Sequence, residues 1–382
     1  MNLKKYVLFW IIILIIIILL LVFINTNNQK EDTIKVGYIS PMSGSASAYG
    51  EHTRKAFKIG INEWNSNNIN KKIKVIYEDG KCASADAVTA ANKLINIDDV
   101  DIIMTFCTGE TNAVIPLTEE NNKILLTAGT TSPKMLDGKY RFRNIASVAN
   151  NFYELSKLAY KHDTKIALIS ESTDYAFSSK DVFKKYFLDL GGVIIIDETF
   201  ESNNPDFRTI ISKLKEKDVN SLFVIVQSLD NSGLLFKQMK ELNYYPQIYS
   251  ELGAISSVAL DKYSKEGYLD VVEGTIFAQQ HFDITTNTKA KHLFDVYISE
   301  YGSTKGPCAE YYLATSYDAV YLIGEAFLNV GKDPDNIKEY FLNNIKDWDG
   351  AIGLFSFNEN GDSVVEVDIK IVKNGQIEEV VS

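Results

Sequence analysis

The chain has 382 residues, which at about 100–200 residues per domain predicts two domains and at most three. Its 46% hydrophobic and 23% charged residues are the mix of a folded globular protein. The net charge is −11, and since the first 31 residues carry +2, the remainder carries −13; that argues against a nucleic-acid-binding body, which needs a basic face.

Tyr6 to Ile24 is an unbroken apolar run behind Lys4 and Lys5. At about 1.5 Å per residue it approaches the ~30 Å hydrocarbon core of a bilayer. The lysines are expected to stay cytoplasmic, so the body is exported. A cleaved signal peptide needs a shorter apolar core and a small-residue cleavage site. Residues 25–32 read NTNNQKED and offer none, and no cysteine follows for lipid attachment. The expectation is one N-terminal transmembrane helix with the body extracytoplasmic; the alternative is a soluble exported protein after cleavage.

Beyond this run, strands and helices alternate. Ile34–Ser40 reads as a strand and Ala48–Trp64 as a helix, with Ala56, Ile59, Ile61 and Trp64 on or near one face. Lys72–Glu78 is a strand, Ala85–Ile95 a helix, Asp101–Phe106 a strand, Thr111–Glu120 a helix and Lys123–Thr127 a strand. The series restarts after Asn150. Helix Phe152–His162 leads to strand Lys165–Ser170, helix Ser178–Leu190 to strand Val193–Glu198, helix Phe207–Lys217 to strand Ser221–Val226, and helix Gly233–Leu242 to strand Gln247–Ser250. Near-continuous Val/Ile strands between amphipathic helices mean parallel sheets covered on both faces. Two such series predict an α/β protein of two Rossmann-like lobes. Ala309–Leu328 reads as a long buried helix. Gly353–Phe357 and Val364–Val372, around Asn360-Gly361, read as a hairpin.

Three cysteines, Cys82, Cys107 and Cys308, lie beyond the apolar run. In an exported domain a pair is expected to oxidise. Cys82 and Cys107 each follow a strand, a placement compatible with a bridge, but spacing alone leaves the pairing open. Cys308 reads as a small buried hydrophobe. The four histidines are scattered, and there is no HExxH or CxxC pattern, so no metal site is expected. GxSxG, GxxxxGK and a GxGxxG after the first strand are also missing, so neither catalysis nor a cofactor is implied.

In open α/β sheets ligands bind beyond the carboxyl ends of strands. The loops there carry a resemblance. PMSGSASAYG after the first strand, the Cys82 and Cys107 positions, ILLTAGTTSP, and YSELGA, in that order from about Ile34 to Val372, resemble the type I periplasmic binding proteins of the leucine/isoleucine/valine-binding branch. The resemblance implies two lobes joined by crossover hinge segments. It divides the chain into an anchor and tether at 1–32, lobe I at 33–148 and 279–365, and lobe II at 149–278 and 366–382. It implies a disulfide between Cys82 and Cys107. It implies a small-molecule ligand, an amino acid or related amide, delivered to an ABC transporter permease, with no nucleic-acid partner.

Residue by residue, the resemblance gives Thr108 the role of holding the ligand carboxylate. A helix N-terminus there suits an anion; the competing reading is that Thr108 only caps that helix. Gly129 and Thr131 match positions that bind the ligand through a carbonyl and through a hydroxyl with its N–H; turn chemistry is the alternative. Glu251 matches the acid that pairs with the α-ammonium, against the alternative of an exposed loop carboxylate. Tyr49 and Tyr175 match aromatic walls from the two lobes, against ordinary packing. Two positions depart from the family. Its Ser-Ser-Ser is Thr108-Gly109-Glu110 here, so Glu110 either turns away to stabilise the helix N-terminus or signals a different ligand. Ser228 stands where the family has a tyrosine, which makes the pocket larger or more polar. Alternatives to the transport receptor are a sensor ectodomain working through a separate signalling partner, a receptor for a non-amino-acid solute such as an amide or aromatic acid, and an enzyme.

Overall fold

The computed structural model describes residues 32–380 except 136–138, 204–205, 252 and 307–308, together with positions 10 and 13. Apart from those two positions, the apolar run at Tyr6–Ile24 lies outside the described residues, as does Cys308. Among the described residues no helix is long and apolar enough to cross a membrane.

The first sheet is built from β1 (Asp32–Ser40), β2 (Lys71–Asp79), β3 (Ile102–Thr105), β4 (Ile124–Thr127) and β5 (Arg141–Arg143). Helices α1 (Ser47–Asn67), α2 (Ser84–Asn96) and α3 (Thr108–Glu120) connect its first four strands. The spatial order is β2-β1-β3-β4-β5, and every neighbour is parallel. Every side chain of β3 and β4 is buried, which is why these strands read as continuous apolar runs instead of alternating ones.

After α4 (Val148–His162) the same winding repeats. Strands β6 (Lys165–Glu171), β7 (Val193–Phe200), β8 (Ser221–Ile225), β9 (Gln247–Ser250) and β10 (Ile276–Gln280) alternate with α5 (Asp174–Asp189), α6 (Arg208–Glu216), α7 (Leu229–Glu241) and α8 (Ser257–Glu266). Their order is β7-β6-β8-β9-β10, again parallel throughout. The chain then supplies α9 (Thr288–Tyr301), α10 (Tyr311–Val330) and α11 (Pro334–Asn344), with α10 packed along α1. Three short strands, β11 (Trp348–Gly350), β12 (Gly353–Phe357) and β13 (Ser363–Val364), form a small antiparallel sheet. Finally β14 (Val367–Lys373) and β15 (Gln376–Glu379) add to the β10 edge of the second sheet, antiparallel.

The expected tail hairpin is therefore corrected. Of the expected second arm, only its start at Ser363–Val364 pairs with β12; Val367–Lys373 leaves to join β10. The turn residues were legible, but a local hairpin pattern carries no record of the distant edge that competes for the second strand. The predicted helix at Thr111–Glu120 starts three residues earlier, and those at Phe152, Ser178 and Gly233 start four earlier. The first turns of α3 and α7 are mostly polar, Thr108-Gly109-Glu110 and Leu229-Asp230-Asn231-Ser232, so there the apolar stripe that marks a helix in sequence begins only after them. Side-chain caps hold three of these early starts: Ser147, Thr173 and Ser228 each accept an N–H of the first turn.

Three strand-like segments cross between the two sheets side by side. Ser363 Oγ donates to the Ile145 carbonyl at 2.6 Å, the Ala146 N–H to Gln280 Oε1 at 2.8 Å, and the His281 N–H to the Glu366 carbonyl at 2.8 Å. Next to them, fully buried Arg143 pairs with Asp362 at 2.7 Å. Burial pushes the guanidinium down and the Asp362 carboxyl up from their ordinary ranges, so each group depends on the other to stay charged. The crossovers are thus bonded to one another rather than free.

Candidate functional site between the lobes

Both sheets share one doubly wound order, and in each the winding reverses beside the first strand of its series. Crevices open at such reversals, beyond the strand carboxyl ends. The reversals here lie between β1 and β3 and between β6 and β8, and they face each other. An inner cavity of about 60 Å³ sits there. Its walls are Tyr49, which follows β1, Phe106 to Thr108 after β3, and Gly129 after β4. The second lobe contributes Tyr175 after β6, Gln227 after β8, and Glu251 and Gly253 after β9. Ala309 and Tyr312, at the start of α10, complete it.

Five of the six candidate residues, Tyr49, Thr108, Gly129, Tyr175 and Glu251, therefore meet in one cavity. Thr131 is not in its wall. It is buried nearby, its carbonyl accepts the Val148 N–H at 3.0 Å, and its hydroxyl has no partner among the described residues. Gly129 is held to glycine by packing, since a Cβ would come within 2.5 Å of the Phe106 ring and 2.6 Å of the Phe106 carbonyl oxygen.

Glu251 is not an exposed loop acid; it is 4% exposed. Its Oε2 accepts from the Tyr175 hydroxyl and from the Gly253 N–H at 2.9 Å, while its Oε1 is buried without a partner. A Cβ at residue 253 would lie 2.5 Å from that Oε1, so glycine leaves it open. Burial pushes the Glu251 carboxyl up to about 7, against the pull of those two donors. The Tyr175 phenol is raised well above its ordinary value by its own burial and by the adjacent Glu251 charge.

Across the cavity, Thr108 is the first residue of α3 but not its cap. The cap is Cys107, whose N–H donates to Glu110 Oε2 at 3.0 Å. Glu110 Oε1 accepts the Cys82 N–H at 3.1 Å. Glu110 is thus fully buried behind the loop and turned away from the cavity, and burial raises it to about 7. The added negative charge serves the helix start and the loop carrying Cys82. Cys82 and Cys107 are joined in the structure, with Cα atoms 5.2 Å apart. The first-turn N–H groups of a helix have no partner within it, so α3 presents donors at this wall.

A second, outer chamber of about 300 Å³ adjoins the inner one and shares Tyr49, Cys107, Thr108, Tyr175 and Gln227 with it. Ser228 borders this chamber and caps α7, accepting the Asn231 N–H at 3.4 Å. Contacts across the cleft draw the lobes together: Tyr49 Oη to the Gln227 carbonyl at 3.3 Å, Ser178 Oγ to Ser132 Oγ at 2.9 Å, and Ser84 Oγ to Asp174 Oδ2 at 3.3 Å.

A periplasmic binding protein family profile matches residues 33–373. The chain belongs to that family. Within it, the chain is a type I protein of the leucine/isoleucine/valine-binding branch. It is 25% identical over 347 residues to the leucine-, isoleucine-, valine-, threonine- and alanine-binding protein of Pseudomonas aeruginosa, covering 87% of each chain. Among solved structures, a leucine-binding protein LivK from Thermotoga maritima superposes with a TM-score of 0.78 at 23% identity, covering 91% of this chain and 98% of that one. A solute-binding protein of an ABC transporter from Rhodopseudomonas palustris, in complex with 3,4-dihydroxybenzoic acid, superposes with a TM-score of 0.75 at 22% identity, covering 92% and 96%. The two structural likenesses speak for the fold.

Phe106, Gln227, Gly253, Ala309 and Tyr312 were not singled out in the sequence. Gln227 lies in a strand-end loop, so position alone could have flagged it. Tyr312 sits on a helix whose apolar composition reads as plain packing, and its ring indeed packs on Phe106 with centroids 5.7 Å apart.

The raised carboxyl of Glu251 has a consequence for stability. The folded chain holds this proton up to about 7, the unfolded chain only to the ordinary value near 4.5. Ionised Glu251 therefore opposes folding above pH 7, and that opposition disappears as pH falls toward 4.5. In urea unfolding of the ligand-free chain, Glu251→Gln is expected to raise the midpoint at pH 8, with the gain shrinking steadily toward pH 5. A gain independent of pH would contradict the assignment.

Proposed function

We propose that this chain is an extracytoplasmic, non-catalytic receptor that captures an amino acid or a closely related solute between its lobes and hands it to an ABC importer. The observation that carries this reading is Glu251. A buried carboxylate with one oxygen lacking a donor is costly to leave so, and an ammonium group supplies what it lacks. The opposite wall is the N-terminus of α3 with Thr108 on it, which suits a carboxylate. One negative and one positive pole across a small cavity match a zwitterion. Tyr49 and Tyr175, one from each lobe, offer apolar faces with polar tips to an amphipathic ligand. Gly129 would contribute backbone groups, and Thr131 its hydroxyl after a small local shift.

The relatives support the solute class: the Pseudomonas aeruginosa protein is named for five amino acids. An aromatic acid, as in the Rhodopseudomonas palustris complex, would bring a second negative charge toward Glu251 without an ammonium to offset it. Two lobes bonded through three crossovers suit closure about a hinge, which makes the closed form the one that the permease reads.

The apolar run at Tyr6–Ile24 completes the proposal as an uncleaved anchor, with 25–32 as its tether. Protease added outside intact cells is expected to remove the body and leave a membrane-held fragment containing that run. A soluble protein beginning near Asn25 would show cleavage instead.

Removing the charge at Glu251 while keeping its shape leaves the ligand ammonium buried and uncompensated, a loss of about 2–5 kcal/mol in such pairs. At about 1.4 kcal/mol per decade, Glu251→Gln should weaken binding by roughly 30-fold to several thousand-fold. Thr108→Val should weaken it less, because backbone N–H groups of α3 still hold the carboxylate. Mass spectrometry of what co-purifies with the full chain would supply the ligand, and calorimetry the affinities. Equal affinity of Glu251→Gln and parent would remove the amino-acid reading.

A further inference from the structure

The inner cavity is the smaller chamber, about 60 Å³ against about 300 Å³ for the outer one. The two share Tyr49, Cys107, Thr108, Tyr175 and Gln227, so a long side chain on a ligand whose head group lies between Glu251 and Thr108 would reach into the outer chamber. That chamber is not an aliphatic slot. Its lobe II side presents Glu171, Ser172, Asp174, Ser202 and Ser228.

The charges in this chamber are unbalanced. Helices α1, α2, α3, α5 and α7 all begin at the cleft, which alone would favour an anion. All but α1 carry an acid in the first turn, Asp86, Glu110, Asp174 and Asp230, of which Glu110 is turned away and Asp230 is paired with Lys262 at 2.6 Å, so Asp174 is the one that faces the chamber. The cation at the chamber, Lys81, is committed to Asp86 at 2.8 Å. Glu171 is buried and accepts from the Gln227 and Ser228 N–H groups at 2.8 and 2.9 Å and from Asn231 Nδ2 at 2.8 Å, which leaves a fourth acceptor site on its carboxylate. Asp174 is exposed to the chamber and accepts only a 3.3 Å contact from Ser84 Oγ among the described partners. The wall therefore holds spare acceptors and carries a net negative charge.

We propose that the ligand is an amino acid with a long side chain ending in a hydrogen-bond donor, an amide or a cation, which lies in the outer chamber against Asp174 and Glu171. This rests on the amino-acid reading of Glu251 and sharpens its solute class. A branched aliphatic side chain would desolvate these acceptors and give them nothing in return. A side chain ending in a carboxylate would meet them with like charge.

The test is calorimetry of the ligand-stripped full chain with arginine, lysine, glutamine, leucine, isoleucine, valine and glutamate. The best of arginine, lysine and glutamine is expected to bind at least tenfold more tightly than leucine or glutamate. Asp174→Asn is expected to narrow the arginine-to-leucine affinity ratio by fivefold or more. Leucine, isoleucine or valine binding as tightly as the best donor-ended ligand would overturn the proposal while leaving the amino-acid reading standing. An unchanged ratio in Asp174→Asn would overturn the role of the outer chamber. Binding of none of the seven would overturn both readings.

Discussion

The site turns on a carboxylate removed from water with only part of its hydrogen bonding supplied. Glu251 Oε2 is held by Tyr175 and the Gly253 N–H, and Oε1 is buried without a partner in a residue that lines the cavity. Desolvation alone would favour the neutral acid, and it raises the group to about 7. The free protein therefore carries an electrostatic deficit that a cationic group in the cavity would relieve. If an ammonium binds there, as proposed, its binding and the ionisation of Glu251 are coupled, and local structure that is poor for stability would make the site selective.

The fold determines where that deficit can sit. Two sheets with the same winding bring two strand-order reversals face to face. Apart from Tyr49 on α1 and the start of α10, the walls of the inner cavity come from segments just past a strand end. The crossover segments are hydrogen-bonded to one another, an arrangement that suits closure about that strip. The contacts Tyr49–Gln227, Ser132–Ser178 and Ser84–Asp174 span the cleft and are lost in any opening. Each is a single hydrogen bond, the Ser132–Ser178 one buried, and a single bond contributes about 0.5–1.5 kcal/mol, so together they bias the equilibrium without fixing it. A ligand touching both lobes then shifts the population by its differential affinity.

Much of this is legible in the amino-acid sequence. The strands were readable because both sheet faces are covered and the apolar runs are unbroken, as at Ile102–Thr105 and Ile124–Thr127. Tyr49, Thr108, Gly129, Tyr175 and Glu251 were readable from loop position and family resemblance, and they meet in one cavity. What was missed has two kinds of cause. The helix starts at Thr108 and Leu229 face the cleft and open on mostly polar turns, so hydrophobic periodicity begins a turn too late at the place where the site is built. The orientation of Glu110 depends on the backbone of Cys82, 28 residues away, and a local reading could only leave both options open. The departure of β14 from the hairpin depends on an unpaired edge of β10, nearly 90 residues upstream.

The most direct test of the coupling between Glu251 and a ligand ammonium is the proton count of binding. Calorimetry at pH 6.5 in buffers of different ionisation enthalpy would measure it with the co-purified ligand. Since free Glu251 is mostly protonated there and must ionise to meet an ammonium, most of one proton should be released per ligand bound, and Glu251→Gln should abolish the release. Proton uptake, or the same release in Glu251→Gln as in the parent, would contradict the account.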